Sequence, residues 1–198
     1  DKAAALADFN RSIALNPKNT DAYQNRADLK LDMKDYAAAK SDADSAILAD
    51  SSNSYAYISR ARINVALKDS AAALKDIDRA ISLNPVNDYG YVVRGDVKME
   101  IKNYDGAERD YDKAISLNAG NMETYIKRAG ARVNIGQQAA ALQDYKKVLA
   151  ASPNDSTLYI RLSRPMLDAG FYAEVLPLYN LLAGAHPGNI TYNIERGM

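Results

Sequence analysis

Residues 22–30 read AYQNRADLK, and the phrase returns as AYISRARIN at 56–64, GYVVRGDVK at 90–98 and TYIKRAGAR at 124–132. Its arginines, Arg26, Arg60, Arg94 and Arg128, are each 34 residues apart. Tyr23, Tyr57, Tyr91, Tyr125 and Tyr159 keep the same interval, as do Asp8, Asp42, Asp76, Asp110 and Asp144. So do Ala5, Ala39, Ala73, Ala107 and Ala141. Pro17, Pro85, Pro153 and Pro187 hold one further phase, with Ser51 and Ala119 in its gaps. A fixed period of this length marks a repeat architecture, in which each unit buries its apolar face on its neighbour. The units are 20–53, 54–87, 88–121, 122–155 and a divergent 156–189. Residues 1–19 read as the second helix of a truncated repeat, and 190–198 as the start of a further helix.

Each unit reads as two helices. In 88–121, Tyr91, Gly95 and Val97 or Lys98 fall at helical spacing, and Tyr104, Ala107, Tyr111, Ala114 and Ile115 do so again after a polar Lys102-Asn103 turn. That spacing lines one helical face. The units end in NPKN, NPVN, NAGN or SPND, residues that stop one helix and begin the next connection. Small residues stand where two helices must approach: Ala27, Ala61, Gly95 and Ala129 on the first helix, Ala39 and Ala46 on the second. A larger side chain there would wedge them apart.

A 34-residue helix–turn–helix unit resembles the tetratricopeptide repeat. Tyr91, Gly95, Ala107, Tyr111 and Ala114 match the family pattern in one unit, and Tyr57, Ala61, Ala73, Ala80 and Pro85 in another. The chain departs from it in carrying arginine, not leucine, at the seventh place of four units. The resemblance implies an all-α, right-handed superhelical solenoid of antiparallel helix pairs over 1–198. First helices would line its concave face.

The arginines invite two readings, an exposed basic stripe or an internal fixture. Each has an aspartate sixteen residues on: Arg26 with Asp42, Arg60 with Asp76, Arg94 with Asp110, Arg128 with Asp144. In the fifth unit both charges are replaced together, by Leu162 and Leu178. Interior partners behave this way, because a lone buried charge is costly. The expectation is a structural pair within each repeat, with the partner of Asp8 lying before residue 1.

Bulk properties narrow the function. The chain has 198 residues, with 25 Lys+Arg against 25 Asp+Glu. A zero net charge argues against general nucleic-acid or anionic-membrane binding. Cysteine is absent, which excludes disulfides and thiolate metal sites. No apolar run approaches a membrane span. DKAAALADFN is no signal peptide and has no initiator Met, so the chain reads as processed or excised, without a targeting signal of its own and with its compartment unknown. The lone His186 falls in the AHPGN turn, and no catalytic, phosphate-binding or metal-binding motif occurs. The expectation is a non-catalytic protein without cofactor or metal, and with no membrane insertion.

Its partner is then a protein or peptide. What the resemblance implies for the groove places it on Asn25, Asp28, Tyr55, Ile58, Ser59, Arg62, Tyr89, Val92, Val93, Asp96, Lys127 and Arg161. This lining is acidic early, apolar and aromatic in the middle, and mixed to basic late. Tyr55, Ile58, Tyr89, Val92 and Val93 would either seat a peptide or helix, or simply pack neighbouring helices together. The second alternative makes the chain a structural spacer or assembly arm. Family members that clamp chaperone C-termini need Lys and Asn where this chain has Gln24 and Asp28, and Lys and Arg where it has Tyr89 and Val93. A cochaperone role is therefore disfavoured. Pro165 and Pro177 are expected to kink or delay the helices of the fifth unit. The stretch ITYNIERGM would offer an apolar side for self-association.

Overall fold

The computed structural model describes residues 1–185, with side chains to 180. All regular structure among them is α-helical: α1 Lys2–Leu15, α2 Thr20–Asp32, α3 Tyr36–Ala49, α4 Ser54–Ala66, α5 Ser70–Leu83, α6 Asp88–Glu100, α7 Tyr104–Leu117, α8 Met122–Asn134, α9 Gln138–Ala151, α10 Ser156–Asp168 and α11 Tyr172–Ala185. The fold is an all-α helical-repeat solenoid of antiparallel pairs. The chain divides into two compact units, Asp1–Asn118 and Ala119–Met198. In the first, α2–α3, α4–α5 and α6–α7 are hairpins; α1 packs on α2, α3 on α4 and α5 on α6, and the first helices α2, α4 and α6 touch in sequence. In the second, α8–α9 and α10–α11 are hairpins, joined where α9 meets α10.

Each boundary has a local cause. Asn19, Asn53, Asn87, Asn121 and Asp155 cap the first helices, their side-chain oxygens accepting backbone N–H groups that have no partner inside the helix. The turn inside each hairpin is equally regular. Lys34, Lys68 and Lys102 adopt left-handed backbone at φ 64°, 64° and 61°, and Gly136 and Gly170 occupy the same place. The next N–H reaches back to close the helix, as from Asp35 to the Lys30 carbonyl at 2.9 Å, while Lys34 N–H bonds to Leu31. Asp35, Asp69 and Asn103 then cap the second helix at once, whereas Gln137 makes no side-chain cap bond.

Hairpins close over small residues. Ala27, Ala39, Ala43 and Ile63 form one buried group, and Ile58, Ala61, Ala73, Ile77, Ala80, Val93 and Val97 another. In the third repeat the small residue is Gly95, where an added Cβ would lie 2.5 Å from the Tyr111 ring. The two prolines do not delay their helices. α10 runs through Pro165 and α11 through Pro177, and neither starts late or ends early relative to its counterparts. Both prolines and the residues four before them, Arg161 and Ala173, are exposed, so water can solvate the carbonyls that lose a partner. Buried Leu158, Tyr159, Leu162 and Met166 hold α10 in place meanwhile. His186, Pro187 and the helix expected over 190–198, with its self-association surface, lie outside the described residues.

Candidate functional site

The repeated arginines point into the hairpins. Arg26 donates from Nε and Nη2 to both oxygens of Asp42, at 2.8 and 2.6 Å. Arg60 does the same to Asp76 at 2.9 and 2.6 Å, and Arg128 to Asp144 at 3.0 and 2.5 Å. Arg94 donates to Asp110 at 2.7 to 3.1 Å. The four aspartates are buried. Each guanidinium also lies over the tyrosine three residues before it, 5.2 to 5.7 Å from the ring centre. That explains the tyrosine series from one end. From the other, the Tyr91 hydroxyl donates to the Pro85 carbonyl at 3.2 Å, and the Tyr159 hydroxyl to that of Pro153. Both tyrosines thus brace the loop that precedes their own repeat.

Two sets of partners were not anticipated. A second donor, four residues after each arginine, shares the same aspartate: Lys30 on Asp42 at 2.8 Å, Asn64 on Asp76 at 3.0 Å, Lys98 on Asp110 at 2.7 Å and Arg132 on Asp144 at 2.9 Å. The fifth repeat has buried Met166 in this register, so three polar places became apolar together there. The arginines also reach back one repeat. Arg60 Nη1 binds Asp44 at 2.8 Å, Arg94 Nη1 binds Asp78 at 2.7 Å, and Arg26 Nη1 binds Asn10 at 2.5 Å. Burial raises the Asp44 carboxyl, but hydrogen bonds from Arg60 and Lys40 outweigh it and hold it below the usual range. These partners stand sixteen residues before their arginines, a spacing that was visible in the sequence. Asp8 is exposed and takes no partner among the described residues.

The groove residues scatter more. Tyr55 and Tyr89 are 49% and 40% exposed. Ile58, Val92 and Val93 are 3%, 6% and 5% exposed, and Ser59 is buried too, so no continuous apolar strip exists. Ile58 and Val93 belong to the core around Ala61, Ala73 and Ile77, and Val92 packs with Tyr91 and Ala114. Their β-branched side chains fill the space against neighbouring helices, and only the tyrosines near the start of α4 and α6 stand clear. Asn25 is exposed at one end. In the second unit Lys127 is half-buried, and Arg161 is exposed and bound to Glu123 at 2.8 Å.

The first unit does bring several of these residues together. Leu31 from α2, Arg62 and Val65 from α4, and Tyr89, Val93, Asp96 and Val97 from α6 line a cavity of about 230 Å³. Arg62 binds Asp28 at 2.8 Å, and the Ser59 hydroxyl donates to the same carboxylate at 3.2 Å. Burial pushes the Asp28 carboxyl above its usual range despite the Arg62 charge. Asp96 accepts a 2.8 Å bond from the Tyr111 hydroxyl, itself raised by burial and then by the Asp96 charge. Leu31 and Val97 were not among the expected lining, whereas Val65 holds a groove place of the second repeat. Leu31 and Val97 are core-facing in sequence and reach the cavity only because three first helices lie side by side. Among the described residues no cluster of His, Cys, Asp or Glu is suited to a metal, and no helix is long and apolar enough to cross a membrane.

Comparison with solved structures gives the same fold. TTC0263, a thermophilic TPR protein of Thermus thermophilus, aligns with a TM-score of 0.74 and 23% identity over 84% of this chain and 91% of its own. YrrB, described as a TPR protein with an unusual peptide-binding site, aligns at 0.67 and 18% over 96% and 98%. PilF of Pseudomonas aeruginosa aligns at 0.76 and 16% over 99% and 89%. At these identities the likeness concerns the fold. No curated protein matches the chain significantly in sequence. Tetratricopeptide repeat profiles match residues 9–41, 54–87 and 92–156. With the helix pairs, the period and these matches in agreement, the chain belongs to the tetratricopeptide repeat family.

Proposed function

We propose that the chain is a non-catalytic scaffold that holds a peptide or helix against α2, α4 and α6. Tetratricopeptide repeat proteins are interaction modules, which supports a protein partner in general. The observation that favours this groove is the cavity between three successive first helices, with exposed Tyr89 at its side. An exposed tyrosine beside a partly apolar cavity supplies large contact area at low entropic cost. The peptide-binding site noted for YrrB, on the same fold, lends the reading further support.

The test compares partners recovered by the intact chain with those recovered by a Tyr55→Ala/Tyr89→Ala variant of unchanged melting temperature. The groove reading expects specific partners to be lost from the variant. Identical recovery would remove these tyrosines from the site. A spacer role is the second reading, favoured by the burial of Ile58, Val92 and Val93 in helix packing. It expects no partner whose capture depends on Tyr55 or Tyr89.

A further inference from the structure

We propose that the outer faces of α5 and α7 form a docking surface for an acidic segment of a partner protein, held by Lys75, Arg79, Arg109 and Lys113. This surface is separate from the groove and does not depend on it.

Position comes first. Lys75 and Arg79 lie one turn apart on α5, and Arg109 and Lys113 occupy the same two places on α7, 34 residues on. Residues four apart share a helix face. All four are exposed, while Ala73 and Ile77 bury the opposite side of α5, and Ala107 and Tyr111 that of α7. The fold does not require cations here, because α3 carries Ser41 and Ser45 at the same places.

Charge sets the rest. None of the four side chains makes an ion pair among the described residues. The acids of the two helices are mostly committed. Asp76 and Asp110 are buried against Arg60 and Arg94. Asp78, beside Arg79, is held by Arg94 at 2.7 Å, and Glu108 and Asp112 have partners of their own. Only Asp105, at the start of α7, is left without one. Four unmatched cations thus stand against one unmatched acid, a local positive field on a chain of zero net charge. The backward reach of Arg94 helps to create it, by occupying the acid that Arg79 has next to it.

Carboxylates from a partner complement this field, and arginine can grip them with two parallel bonds. Single exposed ion pairs contribute little, so the four cations act as a set. Nucleic acid fits less well. Asp78, 60% exposed, and Asp105 interrupt the positive surface that a phosphate backbone would follow. No exposed aromatic residue lies on either helix for a base to stack on.

The experiment is selection from a phage-displayed library of random peptides about twelve residues long, with the whole 198-residue chain as bait. Enriched sequences should carry clustered Asp or Glu. A synthetic winner should bind at least tenfold more weakly to Lys75→Ser/Arg79→Ser/Arg109→Ser/Lys113→Ser, which copies the residues of α3 and is verified folded by circular dichroism. Lys75→Ser/Arg79→Ser and Arg109→Ser/Lys113→Ser, tested apart, should each show part of the loss. Affinity should fall as salt rises. It should be unchanged in Tyr55→Ala/Tyr89→Ala, which separates this surface from the groove. Winners without acidic clusters, binding that ignores the serine changes, or no winners at all would overturn the proposal. Tighter binding of a single-stranded oligonucleotide of the same length, lost with the same cations, would overturn the protein partner in favour of nucleic acid.

Discussion

The fifth repeat shows what the third should tolerate. Asp110 is 5% exposed in its side chain and held by two cations, Arg94 and Lys98, each at 2.7 Å. Removing one partner of a buried pair costs ~3–5 kcal/mol, because the remaining charge is stranded. Arg94→Ala does not strand Asp110, since Lys98 stays. Its other contact, to Asp78, involves a carboxylate 60% exposed, worth ~0–1 kcal/mol. The expected loss is therefore about 2 kcal/mol, below the full cost of an orphaned charge. Arg94→Ala/Lys98→Ala removes both cations and should cost about 4 kcal/mol. The triple change Arg94→Leu/Lys98→Met/Asp110→Leu reproduces the buried Leu162, Met166 and Leu178. It should return to within about 1 kcal/mol of the parent, as apolar replacement of buried ion clusters does elsewhere. Urea denaturation followed by far-ultraviolet circular dichroism measures all three. If the triple variant is as unstable as the double, the aspartate is not held by these partners in the way described.

Other changes follow from the same geometry. Lys102→Gly relieves a left-handed lysine and should stabilise by about 1 kcal/mol, while Gly136→Ala should lose a similar amount, both read from melting curves. Gly95→Ala should destabilise by about 1–3 kcal/mol despite better helix propensity, because the Tyr111 ring is fixed by its bond to Asp96. Adding Tyr111→Ile, which copies the Ala61 and Ile77 combination, should restore it. Asp28 has its pKa raised by burial, so its protonation contributes stability at acidic pH that is lost as pH rises through that elevated value. Asp28→Asn should then leave melting unchanged or slightly raised at neutral pH, with the difference shrinking in acid. A loss equal at both pH values would contradict this.

The hairpins were legible because period and face are linear properties of the chain. Arg26 and Asp42 could be matched for the same reason, and so could Lys30 and Asn10, had the offsets of four and sixteen been followed in both directions. Exposure was harder. Ile58 and Val92 carry no mark that separates a groove residue from a packing residue; which they become depends on the side chains that neighbouring helices bring, such as Ala73 and Ala114. The left-handed lysines were hidden because lysine does not announce positive φ, although Gly136 and Gly170 share the phase. Pro165 neither delays nor shortens α10, since the local cost of a proline is small when the freed carbonyl faces water.

The backward reach of the arginines gives the repeats a common coupling. Any unit that offers an acid where Asp44 and Asp78 stand can be followed by any unit that opens with Arg60 or Arg94. Removing residues 54–87 would bring Arg94 to Asp44 and keep that pairing, but would set Asp96 and Val93 where Arg62 and Ser59 now meet Asp28. A shortened chain of this kind should fold with one hairpin's worth less helix by circular dichroism. The fourth repeat breaks the convention: Lys146 stands where an acid is due and meets Glu174 of α11 at 3.8 Å instead. The arginine coupling is therefore shared by internal copies, whereas the fifth repeat, with Leu162 in place of the arginine, does without it.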